Sequence, residues 1–156
     1  MKTADSIIAA CAVSLIVLTV GSTATVALSP DDVKIDDRKV TISLTEKGGN
    51  AEEGKKWFAD RKLGNCLACH ANKDMTSKPF HGEVGPPLDG VAGRYSHEEL
   101  RAIIVNSKAV FGGETIMPGF YVLKTGARTQ KKFQGKTILN GQQIEDIIAY
   151  LQTLKE

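Results

Sequence analysis

Cysteine is scarce in this sequence: three occur in 156 residues, at Cys11, Cys66 and Cys69. A disulfide between the last two would close a loop too short to stabilise much. No second ligand pair stands at zinc-finger spacing, and no βαβ pattern surrounds the pair, so structural zinc and a thioredoxin-like redox site both lack support. Excess charge of one sign is also absent. The formal net charge is only +2, which gives no reason to propose nucleic acid as a partner. The apolar run from Ile7 to Val20 is about 14 residues, short of the roughly 20 that span a bilayer. Length itself allows one ordinary domain and little more.

That run follows Lys2 and leads into small residues ending in Thr25-Val26-Ala27, the order of a secretory signal peptide. Residues 1–27 are expected to be removed, leaving a periplasmic chain with no stable membrane span. Retention with Thr23 to Leu28 added would instead make an anchor. Cys11 follows Ile8-Ala9-Ala10, but the apolar stretch lies after it, unlike a lipoprotein box. It is expected to leave with the signal.

Cys66 and Cys69 then remain in a compartment where thiols tend to oxidise, and they need an explanation. Cys66-Leu67-Ala68-Cys69-His70 is the C-x-x-C-H sequence of covalent haem attachment. Two thiols one turn apart can add to the two vinyl groups of a porphyrin edge. The next side chain then lies beneath the iron, where its imidazole serves as proximal ligand. One haem c is expected, on Cys66 and Cys69, with iron on His70.

The opposite axial position has four candidates: Met75, His81, His97 and Met117. Ser96-His97-Glu98-Glu99 reads as a capping box that places His97 at the surface. Met75 and His81 lie close behind the attachment site, though reach alone does not exclude them. Met117 stands in Thr115-Ile116-Met117-Pro118-Gly119-Phe120, where Pro forbids helix and Gly permits close approach. Outside a haem context a methionine there would be core filling; within one, Met117 is the favoured distal ligand.

The frame is expected to be all-α. Residues 28–49 carry Ile35, Val40, Ile42 and Leu44 among charges, as an extended N-terminal arm with a short strand at most. The domain proper spans 50–156. A helix begins at Asn50, with Glu53 at N3, and runs to about Leu63. Residues 72–84 form a polar loop, and Gly85-Pro86-Pro87-Leu88-Asp89-Gly90 a rigid turn. A proline carbonyl from that turn could accept the second ring N–H of His70, as metal-binding histidines normally require; a plain surface turn is the equal alternative. Amphipathic helices follow from Ser96 to about Ser107 and from Asn140 through Leu154. Between them, Lys124, Arg128, Lys131, Lys132 and Lys136 mark a basic loop, solvated or used for docking.

The attachment site, Gly85 to Arg94, Met117-Pro118-Gly119-Phe120 and a last helix with Ile147 and Tyr150 resemble class I cytochromes c. More specifically, Ile42-Ser43-Leu44-Thr45, Arg61 to His70 and Thr115 to Tyr121 resemble the SoxX family, the small cytochrome subunits of SoxAX sulfur-oxidation complexes. The resemblance implies a class I fold around one covalent haem. It implies that Gly54 and Phe58 pack across Ile147 and Tyr150, that Pro86 accepts from His70, and that Arg94 approaches a haem propionate. It further implies a periplasmic heterodimer with SoxA, acting as an L-cysteine S-thiosulfotransferase that joins thiosulfate oxidatively to a cysteine of the carrier SoxYZ.

No catalytic residue is expected in this chain, because after haem attachment it keeps no free thiol, and bond-making is expected on SoxA. Electrons would pass from that partner through this chain to a small soluble cytochrome. Two other functions stay open: a free-standing periplasmic electron carrier, and a gas-binding haem sensor that would take up carbon monoxide readily when ferrous.

Overall fold

A computed structural model describes residues 27–155; the segment before Ala27 that is expected to be a signal peptide, with Cys11, lies outside the described residues. Among the described residues four α-helices carry the fold: α1 (Ala51–Ala59), α2 (Val91–Arg94), α3 (His97–Phe111) and α4 (Gly141–Leu151). Long loops join them, tightened by single 3-10 turns such as Cys66–Ala68 and Lys131–Phe133. Among the described residues no strand forms, only isolated bridges pairing Ala27 with Thr45 and Asp36 with Lys39.

Asn50 starts α1, its side-chain oxygen accepting from the N–H groups of Glu52 and Glu53 at 3.0 and 3.1 Å. Glu53 does not close a capping box. Its carboxylate goes to Lys56, and the Asn50 N–H donates to Asp146 of α4 at 2.8 Å. The cap is thus completed by another helix. α1 stops at Ala59 rather than near Leu63, because Asp60 turns extended (φ −71°, ψ 110°) and its carboxylate captures the Lys62 N–H.

Helices α1 and α4 cross at Gly54, where a Cβ would lie 1.9 Å from the Asp146 carbonyl oxygen. Only a residue without a side chain fits there. Next to the crossing, the Phe58 and Tyr150 rings meet edge to face, 5.6 Å between centroids. Phe58, Ile144, Ile147 and Ile148 are fully buried, each worth about 1.5–3 kcal/mol in removed apolar surface. The buried Asp146 carboxylate has its oxygens satisfied, since Asn50 N–H, Trp57 Nε1–H and Gln142 Nε2–H all donate to it.

Both capping boxes of α3 and α4 are complete: Ser96 with Glu99, and Asn140 with Gln143. The last helix ends at Leu151, three residues before Leu154. α3 runs past Ser107 to Phe111, but its backbone leaves helical geometry at Asn106 (φ −153°, ψ 84°).

The N-terminal arm is irregular and doubles back instead of reaching outward. The Leu28 N–H donates to Leu44 O at 2.8 Å, and the Val40 N–H to Glu98 O at 3.1 Å. Val40 and Leu44 are buried while Ile42 faces solvent. A buried two-point ion pair secures it: Arg101 Nε and Nη2 donate to Glu145 at 2.8 and 2.9 Å. The same two side chains hold the arm, Arg101 through Val40 O and Glu145 through the Leu44 N–H. With every partner satisfied, the desolvation of both charges is offset and the arm becomes part of the core.

Candidate functional site

The chain enters the site through Asn65, which takes left-handed geometry (φ 48°), and coils into the 3-10 turn Cys66–Ala68. The N–H groups of Cys69 and His70 both donate to Cys66 O. Both cysteines are free of any disulfide and half-buried. Burial pushes the Cys66 thiol up to about 12, so it is no thiolate nucleophile at neutral pH. A redox-active thiol pair is poorly served by that environment.

His70 Nδ1 lies 2.8 Å from Pro86 O. A carbonyl only accepts, so Nδ1 carries the proton and Nε2 keeps its lone pair for a metal. Gly85 makes the approach feasible: a Cβ there would sit 2.3 Å from His70 Cε1. The turn that presents Pro86 is braced on several sides. Gly85 N–H donates to Cys69 O and Leu88 N–H to Ala71 O, while Asp89 accepts from the Lys73 N–H. Arg94, exposed at the end of α2, uses two of its five N–H donors on Asp89 O and Pro87 O, at 2.7 and 2.8 Å.

Met117 is half-buried against the core, in a loop secured by α3. The carbonyls of Ile104 and Val105, just before the break at Asn106, accept from Phe120 and Tyr121 N–H at 3.0 and 3.1 Å. Interrupting a helix frees such carbonyls for outside donors. After the break, the Ser107 hydroxyl donates to Met117 O at 2.5 Å, and Lys108 Nζ to Thr115 O at 2.6 Å. The loop also meets the attachment segment. A Cβ on Gly64 would lie 3.4 Å from Cys66 Sγ and 3.5 Å from the Phe120 ring.

The other three axial candidates are otherwise employed. Met75 fills the core at 3% exposure. His81 has both ring nitrogens occupied, Nδ1 accepting from the Asn72 N–H and Nε2 donating to Met75 O at 3.0 Å. His97 is exposed at the start of α3.

Sequence reasoning missed a polar network rooted at Asn72, two residues after His70 in the chain. The buried Asn72 amide donates to Tyr150 Oη at 2.9 Å; Tyr150 donates to Asp74, which also pairs with Lys55. No local pattern signals it, because Tyr150 is 78 positions from Asn72. Burial first, then donation to Asp74, holds the Tyr150 phenol above its ordinary range. Stability from the neutral phenol is therefore full below about pH 10, the unfolded value, and is lost as pH rises above it. Tyr150→Phe should cost about 1–3 kcal/mol at neutral pH by stranding the Asn72 amide, and should flatten the alkaline decline, as followed by denaturant unfolding at several pH values.

The cytochrome c family pattern matches residues 51–155. The chain belongs to the cytochrome c family. This cytochrome c superposes with a TM-score of 0.76 on a chain of the "Crystal structure of SoxXA from P. pantotrophus", 41% identical, covering 83% of this chain and 99% of that one. The SoxX likeness read from the motifs is thereby shown, as are the class I cytochrome c fold and covalently bound haem c. Ferric cytochrome c-550 from Paracoccus versutus is 20% identical over 69% of this chain and 99% of that one, with a TM-score of 0.39, too remote to add to the argument. No curated protein matches. Among the described residues no helix is long and apolar enough to cross a membrane.

The residues of this cytochrome c fit the cofactor. The two thiols are free, the His70 lone pair is directed by its bond to Pro86, and Gly85 supplies the room that the ring needs.

Proposed function

We propose that this cytochrome c is the electron-transferring subunit of a periplasmic SoxXA-type heterodimer, in which thiosulfate is joined oxidatively to a carrier-protein cysteine. The observation that carries this reading is the 41% identity to a chain of the SoxXA structure over 99% of that chain's length. Haem c, when bound, supplies a one-electron ferric/ferrous couple. Cys66 and Cys69 would hold it through thioethers, and His70 and Met117 are the residues that would ligate its iron. Pro86 would fix the His70 tautomer and the orientation of its ring. Arg94 braces the turn carrying Pro86, and its remaining donors suit a propionate.

A thioether ligand raises the potential and closes the iron to substrate, which suits transfer of electrons and not binding of small molecules. The hydrogen bonds that support His70 and the Met117 loop would hold both side chains in place in either oxidation state. With the haem attached and the signal removed, the chain holds no sulfur nucleophile, so the sulfur–sulfur bond is made on the SoxA-type partner. Electrons released there pass through this chain to a small soluble cytochrome.

Isolation from native periplasm tests the reading. A second c-type cytochrome is expected to co-purify, and thiosulfate with the SoxYZ-type carrier should reduce this haem only in that partner's presence. A stable monomer exchanging electrons with an oxidase would replace the reading with that of a free carrier.

A further inference from the structure

The segment after the haem attachment site is tied down on both sides of Phe80. Before it, the Lys78 N–H donates to Met75 O at 2.8 Å; after it, both nitrogens of His81 are bonded and the Gly82 N–H donates to Leu67 O at 2.8 Å. Gly82 presses so closely on Ala68 that a Cβ would lie 2.0 Å from its carbonyl oxygen. Between these anchors Phe80 takes left-handed geometry, φ 66°, which disfavours a bulky side chain. The residue is nevertheless 79% exposed. The strained conformation therefore gains no burial within this chain. Such outliers, held by the surrounding structure, concentrate where a surface does work.

Phe80 borders a groove of about 450 Å³ between the end of α1 and residues 78–82. Its floor includes Leu67 and Ala68, the two residues between the haem-bearing cysteines. Arg61 and Lys78 supply its charge, and no carboxylate lines it. The Arg61 guanidinium lies 5.9 Å from the Phe80 ring centroid, so the cation and the aromatic form one rim.

We infer that this groove seats the second cytochrome subunit, taking an apolar side chain that the partner presents among carboxylates; the inference rests on the heterodimer proposed above. Charge complementarity selects the occupant's surface, cationic rim against acidic partner. Permanence selects the subunit over the diffusing acceptor, because lasting interfaces bury large apolar anchors, and Phe80 and nearby Val84 are both exposed ones. A partner seated there would rest on Leu67 and Ala68, the residues between the two haem-bearing cysteines.

Haem-loaded wild type, Phe80→Gly and Arg61→Glu are titrated against the c-type cytochrome that co-purifies with wild type. Phe80→Gly relieves the backbone and leaves the core intact, so its thermal stability and visible spectrum should equal or exceed those of wild type while affinity falls at least tenfold. Arg61→Glu should weaken binding similarly. Unchanged affinity in Phe80→Gly overturns the groove and leaves the functional reading standing. Wild type that isolates without a partner overturns both. A wild-type homodimer dissolved by Phe80→Gly would give the groove to a second copy, and loss of binding only to the soluble acceptor would give it to that protein; either result overturns the inference.

Discussion

Gly54→Ala should destabilise the protein by about 3 kcal/mol or more, although alanine is the better helix former by roughly 1 kcal/mol. The added methyl carbon would lie 1.9 Å from the Asp146 carbonyl oxygen, 2.4 Å from its carbon and 2.9 Å from the Ile147 nitrogen. All three are backbone atoms of α4, so no rotamer change relieves the contact. The helices must separate, and the Phe58–Tyr150 contact and the Asn50 and Trp57 bonds to Asp146 loosen with them. Repulsion therefore outweighs propensity. Thermal unfolding of the haem-loaded protein should show a midpoint lower by roughly 10 °C. Gly93→Ala is the control, since nothing lies within 4 Å of its Cβ position and the substitution should be neutral or slightly stabilising. Equal midpoints for Gly54→Ala and wild type would refute the close crossing.

What could be read in advance was whatever chemistry keeps contiguous. The haem attachment sequence is legible because thioethers and proximal ligand must follow one another in five residues, 66 to 70. The caps at Asn50, Ser96 and Asn140 are legible because capping acts within three residues. Yet the Asn50 cap is only partly local: its N–H is satisfied by Asp146, 96 positions away, and not by Glu53. The end of α1 is less legible, since the apolar pattern continues to Leu63 while Asp60 ends the helix through its own local bonds.

Long-range pairing explains the other misses. Arg101 and Glu145 stand 44 positions apart, and only their meeting turns the N-terminal arm from a tail into a packed layer. The break at Asn106 carries no Pro or Gly to announce it; its reason is the Met117 loop, whose N–H groups take the carbonyls of Ile104 and Val105. Phe80 carries no signal in the sequence, because only its backbone angle distinguishes it from an ordinary exposed aromatic in a polar loop.

Met117→Ala should abolish the sulfur-to-iron charge-transfer band of the oxidised protein and lower the reduction potential by on the order of 0.1 V, a fraction of the roughly 0.8 V that axial ligation spans. The ferrous form should then bind carbon monoxide, which the intact ligand pair resists. Two further variants separate ligation from packing. Met75→Leu changes a side chain buried in the core, so it should cost under about 1.5 kcal/mol and leave the band intact. Ser107→Ala removes the hydroxyl that donates to Met117 O at 2.5 Å, so the band should persist while the loop loses about 1 kcal/mol of support. A weakened loop releases the sulfur at lower temperature, and the band of Ser107→Ala should accordingly fade before global unfolding. A band that survives Met117→Ala but vanishes in Met75→Leu would move the distal ligand to the core methionine and refute the role given to the loop.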